Sequence, residues 1–599
     1  MKPFWRTFWA SSLSSLVIGT TLIIFFVFTI IGISSSFDAK PFNVKENGIL
    51  HIKLDETISE VSQTGFDPNS TEFIAKKFGI KELKIGLDEA ANDDNIKGIL
   101  LNIDNISTGM ASAEEIRNAL LNFKDNSGKF IYSYSEVYSQ GSYYLSSVAD
   151  EVFLYPTGML DFRGLGSELM FFKGALDKLG VEMQIIRGSN NKFKSAVEPF
   201  IYKQMSDANR EQMMTILNSL WGNMLTNIKS SRNISIEKMN EIADSIQVRN
   251  AQSAVDYQLV DQLLYEDELF ERLKKETDTP EDQELNLVSF SKYCSSKSKM
   301  KKMNFSELSG KSNVAIVYAS GEIVSGKGNR DQIGSEKIAG AIREARLDSD
   351  IKALVLRVNS PGGSALASDV IWREVVLTKE AKPVVVSMGD LAASGGYYIS
   401  CAADRIFSQP NTITGSIGVF GMIPNVGPMM ENKLGITFDR AETNNHAVVS
   451  LTKALSEEEK DIIQDEVDNI YNEFITKVAE GRDGLKVEDV DEIGQGRVWS
   501  GVDALRLGLV DELGGIDDAI AYAAEKAGIN DGEVKIKALP EYKSDELLEI
   551  IEMLNDQEAN TTLVSSPLFN NIKKEIEFLN NFKSSDRIQA RLPYDIIIK

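Results

Sequence analysis

Ile351-Lys352-Ala353-Leu354-Val355-Leu356-Arg357-Val358 runs directly into Asn359-Ser360-Pro361-Gly362-Gly363-Ser364. The first part is apolar at successive positions, as a strand covered on both faces requires, and the proline and glycines end it in a turn. Beyond the turn a helical pattern covers residues 365–378, a second apolar run covers 383–388, a helix is expected over 395–403 and a short strand over 405–407. Short β-branched runs alternating with helical patterns predict an α/β fold with a parallel sheet. The same pattern occurs earlier in the chain, where Ile96-Lys97-Gly98-Ile99-Leu100-Leu101-Asn102-Ile103 stands for the first strand. Gly141-Ser142-Tyr143-Tyr144-Leu145-Ser146-Ser147-Val148-Ala149-Asp150 likewise matches Gly395-Gly396-Tyr397-Tyr398-Ile399-Ser400-Cys401-Ala402-Ala403-Asp404. A third pair sets Ala254-Val255-Asp256 and Leu259-Val260-Asp261 against Ala504-Leu505-Arg506 and Leu509-Val510-Asp511. Self-similarity at this spacing predicts one domain duplicated in tandem, over residues 41–278 and 312–540. Between them, 279–311 reads as a Ser- and Lys-rich linker with Lys297, Lys299, Lys301 and Lys302. Residues 541–599 read as a C-terminal helical appendage, from the periodicity of Leu547, Leu548, Ile550, Ile551 and Leu554.

The chain has 599 residues and a formal charge of -24, which argues against a nucleic-acid or anionic-headgroup footprint on the folded part. Its two cysteines, Cys294 and Cys401, supply neither a disulfide framework nor a thiolate metal cluster. Residues 13–33 are almost uncharged and apolar, preceded by Lys2 and Arg6 and followed by Ser34, Ser35 and Ser36. That length predicts a membrane-spanning helix within an anchor at 1–40. The flanking charges place the N-terminus in the cytoplasm and the remainder outside, at the inner (cytoplasmic) membrane on the periplasmic or extracytoplasmic side. A cleaved signal peptide is the rival, and no A-x-A site supports it.

Chemistry is expected where the two copies differ. The second copy has Asn359-Ser360-Pro361-Gly362-Gly363-Ser364 where the first has Asp104-Asn105-Ile106-Ser107-Thr108. Glycines let backbone N–H groups approach a reactant, and N–H groups at a helix start favour a developing oxyanion. Ala392-Ala393-Ser394-Gly395-Gly396 corresponds to Tyr138-Ser139-Gln140-Gly141-Ser142, so Ser394 has become Gln140. A serine at the start of a helix after a buried strand suits a nucleophile, and the plainer reading is a helix cap. The only histidines are His51, within an alternating strand pattern, and His446, in a polar turn. No Gly-x-Ser-x-Gly or His-Glu-x-x-His is present. A lysine serves as base if burial lowers its pKa, and Asn191-Lys192-Phe193-Lys194-Ser195-Ala196-Val197-Glu198-Pro199-Phe200 offers two. Spacing leaves Lys192 and Lys194 equal. Gly321-Glu322-Ile323-Val324-Ser325-Gly326-Lys327-Gly328 mimics a phosphate loop but has Gly328 where magnesium needs Ser or Thr. The run Ser456-Glu457-Glu458-Glu459 reads as a helix N-terminus.

Four segments together resemble the signal peptide peptidase A family, also called protease IV, in its long duplicated form. They are Asn359 to Gly363, Met388-Gly389-Asp390-Leu391-Ala392-Ala393-Ser394-Gly395-Gly396-Tyr397-Tyr398, Thr414-Gly415-Ser416-Ile417-Gly418-Val419, and Lys194 to Phe200. The resemblance implies tandem ClpP/crotonase-like α/β domains, the first supplying the lysine and the second the serine. It implies Ser394 as nucleophile, Lys194 as general base, Gly362 and Gly363 at the oxyanion hole, and Ser416 orienting the lysine. The reaction implied is peptide hydrolysis through an acyl-enzyme. The substrates implied are cleaved signal peptides and other unfolded peptides, handled by a homotetramer forming a bowl at the membrane surface. No metal, nucleotide or other cofactor is implied. Two rivals are an acyl-CoA hydratase or isomerase of the crotonase type, which has no use for Ser394 as a nucleophile, and an inactive membrane scaffold, in which Ser394 or Lys194 would be lost.

Overall fold

The computed structural model describes residues 44–54, 58–61, 63–67, 72–294, 296–297, 312–329, 331–530, 532–540 and 588–591. Two parallel sheets organise them. The first runs in the order Asn286–Ser289, Gly48–Ile52, Ile96–Leu101, Phe130–Tyr138, Glu151–Leu160, Gln262–Leu263. In the second the order is Val498–Ser500, Ile413–Gly415, Val384–Ala393, Ala353–Ser360, Val314–Ser320, Ile536–Leu539, and Val498–Ser500 alone is antiparallel to its neighbour.

The alternation of side chains along each central strand explains why helices must cover both faces. Leu354, Leu356 and Val358 pack with Ile338, Ile342 and Ile371 of the helices Ser335–Leu347 and Ala365–Lys379. Ala353 and Val355 point the other way, onto Ala519 and Ala523 of the helix Ile516–Lys526. In the first copy Ile99 and Leu101 feed the larger core, while Leu100 and Ile49 meet Leu269 and Leu273. The two copies also repeat individual hydrogen bonds. Tyr143 Oη donates to Leu259 O at 2.7 Å and Tyr397 Oη to Leu509 O at 2.8 Å. Asp150 accepts from Ile131 N and Asp404 from Val384 N, both at 2.8 Å. The long helices Asp207–Arg232 and Glu457–Gly481 are capped alike by Ser206 and Ser456, the latter in a capping box with Glu459.

Three expectations need correction. The 279–311 stretch is not all linker, because Asn286–Ser289 is an edge strand on Gly48–Ile52, and Phe290, Tyr293 and Cys294 follow it into the core. An edge strand this short buries only Val288 well, so alternation does not reveal it. The helix expected over 395–403 ends at Tyr398, where Ser400 Oγ donates back to Gly396 O and the chain turns toward the strand Arg405–Ser408. The strand expected over 383–388 continues to Ala393 and so delivers Ser394 at its end. Among the described residues no helix is long and apolar enough to cross a membrane, and the span expected at 13–33 lies outside them. The periodicity at 547–554 also lies outside them, and the described part of the appendage is the strand Ile588–Arg591.

A buried ionic cluster joins the copies. Arg357, in the strand that leads to the Pro-Gly-Gly turn, donates to Glu60 at 2.8 Å and to Glu115 at 2.6 Å, both carboxylates coming from the first copy. Glu60 also accepts from Asn359 Nδ2 at 3.1 Å, and Asn359 Oδ1 accepts from Leu391 N at 3.1 Å. Burial pushes the Glu60 carboxyl up, and the Arg357 guanidinium opposes the shift. Removing the cation leaves two carboxylates out of water, so Arg357→Met is expected to lower the unfolding free energy by about 3–5 kcal/mol in urea titration. An unchanged midpoint would show that the cluster does not hold the copies together.

Candidate active site

Ser394 sits where the strand Val384–Ala393 meets the short helix Gly395–Tyr398. Its φ of 55° and ψ of -113° place a non-glycine residue in a sparsely populated region, at a cost of about 1–3 kcal/mol. Bonds on either side impose this geometry. Ser394 N donates to Gly415 O at 2.7 Å, and Ser394 O accepts from Tyr398 N at 2.8 Å. The hydroxyl makes no cap bond, so the reading of Ser394 as an ordinary helix cap does not describe it. Gly396 lets the helix approach the Pro-Gly-Gly turn, since a Cβ there would lie 2.8 Å from Ser360 O. Gly395, first in the helix, carries an N–H with no acceptor inside that helix.

Lys194 reaches Ser394 from the other copy. The strand Glu182–Arg187 pairs antiparallel with Phe420–Asn425, Asn191 Nδ2 donates to Val419 O at 3.0 Å, and Phe193 N donates to Gln495 O at 2.9 Å. These contacts pin residues 182–194 onto the second copy. Within one chain, Lys194 Nζ lies 2.9 Å from Ser394 Oγ and 3.0 Å from both the carbonyl and the hydroxyl oxygens of Ser416. Lys194, Ser394 and Ser416 are fully buried. Burial alone holds the Lys194 amine well below the ordinary lysine value, because no carboxylate offsets the desolvation. A neutral amine has two N–H groups and one lone pair. Its N–H groups are satisfied by Ser416, and the lone pair is left for the Ser394 proton.

The turn at Gly362 and Gly363 adopts positive φ at both glycines, 100° and 158°. A Cβ on Gly363 would lie 2.0 Å from Ile323 O, so only glycine fits. The Gly362 N–H donates to Ser360 Oγ at 3.1 Å, and Ser360 Oγ donates to Gly321 O at 2.7 Å. In the first copy Gln140 is spent on structure, accepting from Arg163 N at 3.0 Å and Gly164 N at 2.9 Å.

The remaining candidates separate cleanly. Lys192 is exposed, with its amine 5.0 Å from the Phe193 ring. His51 lies in the strand Gly48–Ile52. His446 contacts Glu458 at 3.5 Å and Glu459 at 3.6 Å near the start of the helix Glu457–Gly481, with no contact to Ser394. Cys294 and Cys401 are buried and unpaired. Two residues not singled out from sequence support the site. Gly496 packs against Lys194, where a Cβ would lie 2.6 Å from the lysine Cβ. Gln212 bridges the copies, donating to Phe193 O at 3.1 Å and accepting from Val498 N at 3.3 Å. The glycines of Gly494-Gln495-Gly496 were a legible signal for the first, and a buried glutamine on a long helix carries none.

Peptidase family S49 matches residues 123–279 and 377–530, one segment in each copy. The chain is 40% identical to Protease 4 of Salmonella typhi, covering 73% of this chain and 70% of that protein. It is 35% identical to Protease 4 of Haemophilus influenzae, over 80% of this chain and 78% of that one. The chloroplastic serine protease SPPA of Arabidopsis thaliana is 33% identical, over 81% and 70%. The chain therefore belongs to peptidase family S49 and is a serine peptidase.

Proposed function

We propose that this chain is a membrane-anchored endopeptidase that uses Ser394 as nucleophile and Lys194 as general base. The observation that carries the reading is the 2.9 Å approach of a fully buried, uncompensated lysine to a serine held in a strained conformation. In the reaction Lys194 Nζ takes the Ser394 proton, and Oγ attacks the peptide carbonyl carbon. The oxyanion forms beside the glycine turn at Gly362 and Gly363 and the first residue of the helix Gly395–Tyr398, where backbone N–H groups are the donors. The lysinium then protonates the leaving amine. Water attacks the acyl-enzyme, giving its proton to the same Nζ and restoring Ser394. Ser416 keeps the amine aimed by accepting its two N–H bonds.

The apolar stretch at 13–33 supports an anchor in the inner membrane with the catalytic part outside the cytoplasm. Signal peptides left after processing, and other unfolded peptides, are the substrates that such a location and a buried nucleophile favour. Exposed Leu179, Leu434, Ile436 and Phe438 support a homo-oligomer, and the family resemblance makes it a homotetramer. A hydratase reading leaves the contact between Lys194 and Ser394 without a role, and a scaffold reading leaves the strain at Ser394 without one.

Hydrolysis of a leucine-rich fluorogenic peptide should fall by at least about 10³-fold in Ser394→Ala and in Lys194→Ala, while His446→Ala stays within about twofold of the parent. Retention of activity in Ser394→Ala would overturn the reading. The pH dependence has a defined sign. Lys194 acts unprotonated, so kcat/KM should rise with pH through an ionisation below the ordinary lysine value of 10.5, and activity is lost as pH falls through it. A flat profile, or one governed by an ionisation at 10.5, contradicts a desolvated base. The same desolvation weakens the fold, because the unfolded chain binds a proton at Lys194 that the folded one does not. Lys194→Met should therefore raise Tm at neutral pH, by an increment that shrinks as pH rises toward 10.5.

A further inference from the structure

The strand that leads to Ser394 is irregular just before its end. Against Ala353–Ser360 it pairs Met388 with Val358 and Ala392 with Ser360, so four steps of one strand face two of the other. Gly389, Asp390 and Leu391 therefore face Asn359 alone and form a bulge. A bulge re-aims the residues beyond it, and here those are Ala392, Ala393 and Ser394. Each bulge residue is held. Gly389 O accepts from Thr412 Oγ1 at 2.8 Å, and Leu391 N donates to Asn359 Oδ1 at 3.1 Å. Asp390 reaches into the first copy, where its carboxylate accepts from Ser112 N at 2.8 Å and from Ser112 Oγ at 2.5 Å.

Its receptor is the start of the helix Met110–Ser127, which follows the first copy's counterpart of the glycine turn. In the second copy the matching helix is capped by its own chain, Ser364 Oγ accepting from Ala367 N at 3.2 Å. Ser112 holds the same third position in its helix, but the N-cap there is Gly109, which has no side chain to offer. A Cβ on Gly109 would lie 2.2 Å from Asp390 Cγ, so the missing side chain is what admits the carboxylate. Free N–H groups and the dipole favour an anion at a helix start. Burial pushes the Asp390 carboxyl up, and the Ser112 bonds and then the Arg357 guanidinium oppose that shift. The copy without a nucleophile thus uses this helix start to grip the strand that carries one.

We propose that Asp390 is a positioning residue for peptide hydrolysis: anchored on Ser112 of the first copy, it fixes the bulge that sets Ser394 against Lys194 and the glycine turn. The proposal rests on the reading of Ser394 as the nucleophile. Its test is hydrolysis of the leucine-rich fluorogenic peptide by the full chain, with reactive sites counted from the completed fluorophosphonate adduct on Ser394. Asp390→Ala should lower kcat per reactive site by at least about tenfold and leave KM within about twofold of the parent. Ser112→Ala alters only the first copy and should lower kcat per site by at least about threefold, which keeps the test decisive if Asp390→Ala folds poorly. Both residues act through one contact, so the double variant should be no slower than Asp390→Ala alone. A contact that only supports the fold would reduce the number of reactive sites and leave kcat per site unchanged. That result, or losses that multiply in the double variant, overturns the proposal while Ser394-dependent turnover of the parent keeps the peptidase reading. Parent turnover that does not depend on Ser394 removes that reading, and the proposal with it.

Discussion

An amine taken wholly out of water with no carboxylate beside it is the constraint on which the rest of this structure depends. Lys194 has only neutral oxygens around it, two from Ser416 and one from Ser394, so its charged form is disfavoured by burial with nothing to restore it. An uncompensated buried amine needs a site that closes around it. Gly496 against its Cβ, Gln212 across the copies and the paired strands Glu182–Arg187 and Phe420–Asn425 are what close it. None of these belongs to one copy alone, and the pair of domains is therefore the smallest unit that holds the arrangement.

Duplication explains the division of labour. The first copy keeps the sheet, the Tyr143 bond to Leu259 and the capped long helix, yet its Gln140 holds a loop where the second copy has Ser394. The first copy contributes Lys194 to the Ser394 site, and the carboxylates Glu60 and Glu115 that grip Arg357. Through Asn359 the same cluster ties the strand before the glycine turn to the strand before Ser394. Charge buried at this seam and charge excluded at Lys194 are two uses of the same low-dielectric boundary.

Much of this is legible in the sequence. The strands at 96–101 and 353–360 announce themselves because central parallel strands are apolar throughout, and Ser394 stands out because its counterpart is a glutamine. Other features lie beyond local pattern. Lys192 and Lys194 have near-identical neighbourhoods in sequence, and only the docking of Phe193 onto Gln495 decides which is buried. The edge strand Asn286–Ser289 and the strand Ile588–Arg591 are short segments whose structure comes from the edges they meet, not from their own periodicity.

The claim that Ser394 is activated by an uncharged Lys194 is tested most directly by covalent trapping. The protein is treated with a fluorophosphonate and the modified residue located by peptide mass mapping. The account predicts a phosphonyl adduct on Ser394 that is lost in Lys194→Met and retained in His446→Ala. An adduct on another residue, or undiminished labelling of Ser394 in Lys194→Met, would contradict it.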